Sequence, residues 1–474
     1  ARDAGLAVGA RVAAMACTTV TTFVVAGTLT KSEYGAYAIV FGIQVLLVMA
    51  LDLGLTSSLA RYVAQGLSTT KLVVAVGAVR LGIIAVAAAC VLVAPVTPWL
   101  EDSRSLVVDL LPVLAGLVVA QSLVAYFFGL LPSLRRIRLL LLVTVAQPAV
   151  ELVLVLVARS RGGDVAEVIG ATVAAGFVVS AIGWVLLLAP GRAPAKDVAE
   201  AAPDAGGATV RMVAEYGRRI FVVSLLLAVF GQVDQFVIGA FHPLSEVAPY
   251  ALVLKVQAML AAPAIVIAGI VAPRIAGAGA AGQAMYRQWI SFLGVVTFGA
   301  VLVLVVLAPQ LFGTFDASYR DDWAFVPAMG LFLLLSALAP LPTITLNQTG
   351  HAKERLPIAA VTVGVNVVLD LALVPWLGAW GAVISTTIAF GIYFLRHDLL
   401  LERELGATAN PPAASIRGVL ARGAAVSAAV AVLALVVRAG LEAAFTDPAD
   451  VVVLLVAGGL AALAHLAWSI RIIR

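Results

Sequence analysis

From Leu6 to Ile470 the chain is a succession of apolar runs separated by short polar joints. Each run is about the ~20 residues that a helix needs to cross ~30 Å of hydrocarbon. Fourteen such spans are expected. Six lie at 6–29, 35–57, 72–94, 106–130, 139–158 and 166–189, and six more at 217–241, 247–270, 288–309, 323–346, 357–376 and 379–398. A last pair lies at 417–438 and 450–470. Composition excludes a soluble alternative: 62% of residues are apolar and 12% charged, against roughly 45–50% and about 25% in soluble domains. Spans in lipid must be helices, because no solvent is present to satisfy an open backbone. Gly5–Leu29 is too long for a signal-peptide core and reads as the first span. A first residue Ala1 in place of Met leads us to expect further chain upstream.

Lys and Arg test the span count, since cytoplasmic loops collect them. With the N-terminus inside, 21 fall in inner segments and 6 in outer loops, a split that one miscounted span near the middle would scramble. The expected topology is multi-pass, with both termini cytoplasmic. Pro190–Glu215 is rich in Ala, Pro, Gly and charge and reads as a linker.

The chain also repeats itself. Ser32, Glu33, Tyr37, Gln44 and Arg61 return, in the same order and with the same spacing, as Ser245, Glu246, Tyr250, Gln257 and Arg274. Gln147 and Glu151 return at a slightly larger offset as Asn366 and Asp370. Such duplication is the usual architecture of membrane transporters. Six spans per repeat is an even number, so the halves should be related by an axis along the membrane normal. The expected fold is therefore all-α, with 14 transmembrane helices. It comprises a six-helix bundle (1–189), a cytoplasmic linker (190–216), a second six-helix bundle (217–399) and an extra helix pair (400–474).

Ionisable groups inside spans are expensive and default to functional candidates. Glu151, Asp234, Lys255 and Asp370 are of this kind. Gln147 and Glu151, like Asn366 and Asp370, are four apart and share one helix face. They either face a central cavity or bond a neighbouring helix. Asp234 and Lys255 are either a structural ion pair or, for Asp234, a titrating carboxylate of a cation-coupled cycle. Arg61 and Arg274 sit at matching inner ends and Arg11 lies within the first span. Guanidinium groups suit phosphate, although inner-end arginines also anchor helices at headgroups. In Asp52-Leu-Gly54-Leu the glycine permits a bend, for gating or for close packing.

Other chemistries are disfavoured. Gly277-x-Gly279-x-x-Gly282 follows a membrane helix rather than a strand, so it is read as a small-residue loop, not a nucleotide site. There is no P-loop, and His242, His351, His397 and His465 are scattered. Cys17 and Cys90 lie in apolar runs, so neither a disulfide framework nor a metal site is expected. No loop is long enough for a soluble catalytic domain. Neither an enzyme nor a nucleic-acid partner is expected.

Tyr34-Gly35-x-Tyr37, Asp52-Leu-Gly54-Leu and Arg61-Tyr62 resemble the first two spans of the polysaccharide-type flippases of the multidrug/oligosaccharidyl-lipid/polysaccharide exporter superfamily. Gln232-Val-Asp234, Ile238-Gly239, Glu246 and Tyr250 are similar to that family's seventh and eighth spans. Gly350, Asn366 with Asp370, Val374-Pro375 and Gly378-x-x-Gly381-Ala382 extend the likeness over the whole chain. The resemblance implies two bundles forming a V about a central cavity. It implies that a polyprenyl-diphosphate-linked oligosaccharide crosses from the inner to the outer leaflet of the plasma membrane by alternating access. A cationic lumen for the diphosphate would draw on Arg11, Arg61, Arg274 and Lys255. Glu151, Asp234, Asp370, Gln147 and Asn366 would serve coupling or sugar contact, and Asp52 and Gly54 gating. No cofactor is implied beyond H⁺ or Na⁺ as a coupling ion. Partners would be the lipid-linked glycan, membrane lipid, and a polysaccharide polymerase or glycosyltransferases. The acidic Glu151 and Asp370 would repel an anionic substrate unless protonated, cation-bound or paired. Three alternatives stand beside this reading: a multidrug or cation antiporter of the same superfamily using Asp234, a lipid II flippase, and a non-transporting scaffold for a glycosyltransferase.

Overall fold

A computed structural model of the chain describes residues 2–64, 70–93, 105–131, 134, 136–188, 210–315, 317–351, 353–406 and 436. Among these residues every regular element is helical and no strand occurs. Among the described residues eleven helical segments are long and apolar enough to cross a membrane, so the chain is a multi-pass membrane protein. They correspond to the first twelve expected spans except the seventh, which is divided into two helices at Gly231 and Gln232. The last expected pair, apart from Val436, and the linker up to residue 209 lie outside the described residues.

The chain divides into two compact units, Ala1–Gly239 with Pro243–Ser245, and Ala240–His242 with Glu246–Arg474. The first holds α1 (Arg2–Ala26), α2 (Lys31–Asp52), α3 (Leu55–Ala64), α4 (Thr70–Val93), α5 (Ser105–Asp109), α6 (Leu111–Leu130), α7 (Ile137–Ser160), α8 (Val165–Leu188) and α9 (Val210–Phe230). It also takes most of α10 (Val233–Phe241). Helix α2 starts at a capping box. The Glu33 carboxylate accepts from the Thr30 N–H at 2.9 Å, and the Glu33 N–H donates back to the Thr30 hydroxyl, which satisfies two end groups of the helix reciprocally. Within this unit α1 packs on α7, α6 on α4 and α8, and α9 lies across α2 and α3. Leu55, Leu59, Leu72, Val76, Tyr126, Leu130 and Val213 form a core where α3, α4, α6 and α9 meet.

The second unit holds α11 (Leu244–Gly277, from Glu246), α12 (Gly282–Val306), α13 (Ala308–Gly313), α14 (Phe325–Ala328) and α15 (Gly330–Leu338). It continues through α16 (Pro340–Gln348), α17 (Arg355–Leu377) and α18 (Ala379–Gly406). Helices α17 and α18 form a close pair, joined by Gly378 at φ +59°. Val271, Ile275, Tyr286, Phe292, Leu341 and Leu401 belong to a core built by α11, α12, α16 and α18. Apolar side chains such as Val153, Val185, Val368 and Leu395 face outward. That is the surface a bilayer would cover.

The duplication read in the sequence is present in the element bounds. Helix α11 runs from Leu244 to Gly277, and the repeat offset carries these limits back to Lys31 and Ala64, the outer limits of α2 and α3. One copy is a single helix and the other is interrupted.

Candidate functional site

The interruption between α2 and α3 holds a cluster of polar groups in the first unit. Helix α2 ends because Leu53 takes φ +47° and Gly54 φ +70°. Two consecutive left-handed residues cannot continue a right-handed helix. Gly54 has no Cβ to oppose this, whereas Leu53 is held there at a cost of about 1–2 kcal/mol. A Cβ on Gly54 would collide with the backbone carbonyl of Gly217 on α9. A Cβ on Gly217 would in turn come within 2.9 Å of the Leu53 carbonyl oxygen. The two glycines let α9 cross directly against the break, and the Ser58 hydroxyl donates to the Val213 carbonyl at 2.7 Å on the same crossing.

Asp52, the last residue of α2, accepts a hydrogen bond from the Thr56 hydroxyl in the first turn of α3. Arg80, midway along α4, pairs with Asp52 at 2.7 Å and also donates to the Thr56 hydroxyl. The side chains of Arg80 and Asp52 are 3% and 17% exposed, so this is a buried pair. The guanidinium lies 5.3 Å from the centroid of the Tyr126 ring on α6, within cation–π range. The Tyr126 hydroxyl donates to the Val73 carbonyl at 2.7 Å. One arginine therefore staples both sides of a broken span to α4 and α6. Opposite charges offset each other here, so the cluster is a neutral clamp rather than a phosphate site. Asp52 and Gly54 stand out in the sequence, but sequence reasoning misses Arg80, although it lies inside the third expected span. Its mid-span position is the signal that could have found it.

The carboxylates picked out by the second repeat make the same contact in each unit. Glu151 on α7 accepts from the Thr172 hydroxyl on α8 at 2.9 Å. Asp370 on α17 accepts from the Ser385 hydroxyl on α18. Gln147 donates to Gln121 on α6 at 3.3 Å. Asp370 and Asn366 are fully buried, while Glu151 and Gln147 are half-buried. Hydroxyl–carboxylate contacts of this sort tie neighbouring membrane helices together.

The remaining candidates are dispersed. Asp234 is buried in the first turn of α10 in the first unit, and Lys255 is half-buried on α11 in the second. Arg11 is exposed on α1, and Arg274 is exposed in the last turn of α11. Arg61 lies on α3, with its side chain outside the described residues. Lys255 and Arg274 share one helix but stand roughly 28 Å apart along it at about 1.5 Å per residue. They therefore serve opposite parts of the span.

Two further polar clusters are missed by sequence reasoning. His242 donates from Nε2 to the Val374 carbonyl at 2.8 Å, with its Nδ1 3.4 Å from Glu246. Glu246 in turn accepts from the Ala379 N–H at 3.3 Å, a favourable place for an anion at the start of α18. At the other end of α18, Arg287 makes a two-pronged contact with Glu402 (2.9 and 2.7 Å). Gln283 donates to the same carboxylate at 2.9 Å and Tyr286 to Asp398. No group of three or more His, Cys, Asp or Glu side chains able to hold a metal occurs among the described residues.

The first part of the chain follows a recognised sequence pattern. Residues 1–278 match the model of a family described as polysaccharide biosynthesis protein. The chain belongs to that family. No curated protein matches it. Among solved structures, the chain resembles an inward-facing multidrug resistance MATE family transporter of the MOP superfamily. The two are 15% identical, over 85% of this chain and 99% of that one, at a TM-score of 0.62. The lipid II flippase MurJ in an inward closed conformation is 12% identical over 100% of this chain and 99% of its own, at 0.63. A MOP superfamily transporter from Pyrococcus furiosus is 16% identical over 84% and 96%, at 0.56. At these identities the likeness is one of fold. The family member described here is a membrane protein, helical in every regular element of its described residues, whose fold is similar to that of these solved transporters.

Proposed function

We propose that the chain is a flippase that carries a polyprenyl-diphosphate-linked oligosaccharide from the inner to the outer leaflet of the plasma membrane by alternating access. Both termini are cytoplasmic in this reading. The family match over residues 1–278 carries it. The duplicated helical fold supports it, because such repeats are how transporters commonly achieve two access states. Arg11, Arg61, Arg274 and Lys255 are proposed to meet the diphosphate at different stages of transit. Asp234, Glu151 and Asp370, with Gln147 and Asn366, are proposed for coupling to H⁺ or Na⁺ or for sugar contact. The Leu53–Gly54 break with Asp52 is proposed as a gating point. The expected bundles 1–189 and 217–399, their linker and the pair 400–474 remain the proposed domain plan.

The test is leaflet crossing of a fluorescent polyprenyl-diphosphate oligosaccharide in proteoliposomes, with and without a pH gradient. Protein-dependent crossing is expected, together with loss of the gradient dependence in Asp234→Asn. The second reading is a cation or drug antiporter, favoured by burial of Asp234 in a membrane chain. Expulsion of a cationic dye against the gradient, with no lipid crossing for any glycan tried, would replace the flippase by that reading.

A further inference from the structure

Helix α7 has two different sides. Leu142, Val153 and Leu156 are exposed and lie along one stripe, which is the side that lipid would cover. At about 100° per residue, Gln147 and Glu151 stand about 140° and about 180° around the helix from Leu142. Both are nevertheless only half-buried, so their accessible parts face away from the lipid. Gln121 joins them from the middle of α6 and is half-buried too. The Gln147 carboxamide donates to that of Gln121 at 3.3 Å, and the Thr172 hydroxyl on α8 holds Glu151 at 2.9 Å. All four residues belong to the first unit.

The bond between the two carboxamides fixes what they have left to offer. Each side chain carries one N–H2 group and one carbonyl. Whichever way the amides are turned, the pair leaves an N–H2 group and a carbonyl with no partner among the described residues. Inside a span such groups are costly unless something bonds them. Glu151 adds a carboxylate, which accepts hydrogen bonds and donates none. A diphosphate would be repelled by that carboxylate, and a metal cation by the N–H2 group. Neighbouring sugar hydroxyls each donate and accept, so they match an amide donor, a carbonyl and a carboxylate together. The second unit has no such set. Between the two repeat offsets Gln121 maps onto 334–340, a stretch without a carboxamide or a charge, and Asn366 and Asp370 are fully buried.

We propose that Gln121, Gln147 and Glu151 form a subsite for two neighbouring hydroxyls of a sugar ring, with Thr172 positioning Glu151. The proposal rests on the flippase reading and deepens it. Sugar contact is assigned to the first unit, and Gln121 becomes a specificity-determining residue.

The experiment measures binding to the full chain in detergent by microscale thermophoresis. Three fluorescent probes are compared for each of several hexose and N-acetylhexosamine trisaccharides: the trisaccharide on polyprenyl diphosphate, the bare polyprenyl diphosphate, and the free trisaccharide. At least one glycosylated lipid is expected to bind more tightly than the bare lipid. Gln121→Leu should cut that preference by roughly two- to ten-fold, the size of one neutral hydrogen bond. Affinity for the bare lipid and the unfolding temperature should stay at the parent values, which a merely structural role would not allow. Thr172→Val should also lower the preference, whereas Thr172→Ser, which keeps the hydroxyl, should restore it. Three results would overturn the proposal: a parent chain that prefers no glycosylated lipid and binds no free trisaccharide, a preference that survives in the Gln121→Leu/Gln147→Leu double variant, or bare-lipid affinity falling in step with the preference. Free trisaccharide bound through Gln121, with no preference for any glycosylated lipid, would keep the sugar site and remove the flippase reading.

Discussion

Helices α2–α4 and α11–α12 occupy the same place in the repeat, yet one copy is broken and charged where the other is continuous and apolar. The repeat register sets Asp52, Thr56 and Arg80 against Ile265, Gly269 and Leu293. None of the three polar residues has a polar counterpart. Leu293 is a core residue, and Ile265 faces outward. Proline does not make the difference. Helix α11 carries Pro249, Pro263 and Pro273 and continues through all of them, whereas α2 and α3 contain no proline and separate. The break follows from left-handed backbone at Leu53 and Gly54, a close glycine on α9, and an arginine that bonds both flanks. A duplicated fold has kept its helix lengths here while placing a buried Arg80–Asp52 pair, and with it a candidate point of motion, at the break of one copy, where the matching positions of the other carry no charge.

The largest effects should come from splitting the ion pair. Arg80→Leu leaves the Asp52 carboxylate buried without its cation, and Asp52→Leu does the converse. Each is expected to cost about 3–5 kcal/mol. The double substitution should recover most of that loss, because an apolar replacement of a buried pair is often neutral. Thermal unfolding in detergent checks this, and a double variant less stable than both singles would sink the clamp. Ile265→Leu at the matching position should cost less than about 1.5 kcal/mol.

Next in size is a contrast between two glycines. Gly54→Ala puts a Cβ onto the Gly217 carbonyl at positive φ and should cost at least the ~1–2 kcal/mol of a left-handed residue. Gly269→Ala adds a methyl in open space on a continuous helix and should stabilise by roughly 0.5–1 kcal/mol. Opposite signs are the expectation, and the same sign would mean that α11 also bends here.

The smallest contrast lies in the shared hydroxyl contacts. Ser385→Ala removes a donor from the fully buried Asp370 and should cost about 1–3 kcal/mol. Thr172→Val acts on the half-buried Glu151 and should cost about 1 kcal/mol or less. Equal losses would show that burial does not grade the two sites.

Much of this was legible from the amino acids. Apolar runs locate the eleven spans because lipid allows the backbone no other choice. The spacing of Gln147 with Glu151 and of Asn366 with Asp370 places them on matching helix faces, and the hydroxyl partners of the two carboxylates are equivalent. The rest depends on distant partners. Nothing near Leu53 in the sequence announces a left-handed leucine, since the α9 crossing at Gly217 and the Arg80 bond that accompany it come from other helices. The seventh span reads as one apolar run, although its helix is interrupted beside Asp234. Glu246 reads as one member of a repeat pair, while its role at the start of α18 depends on a helix much further along the chain.

Hydrogen exchange on the full chain, read by mass spectrometry in proteoliposomes, tests the asymmetry most directly. Amides around the break (53–57) should exchange faster than the matching amides 266–270, because the continuous helix protects its backbone and the break does not. Arg80→Leu should raise exchange at 53–57 further and leave 266–270 unchanged. Equal protection of the two stretches in the parent chain, or an equal response of both to Arg80→Leu, would contradict the account.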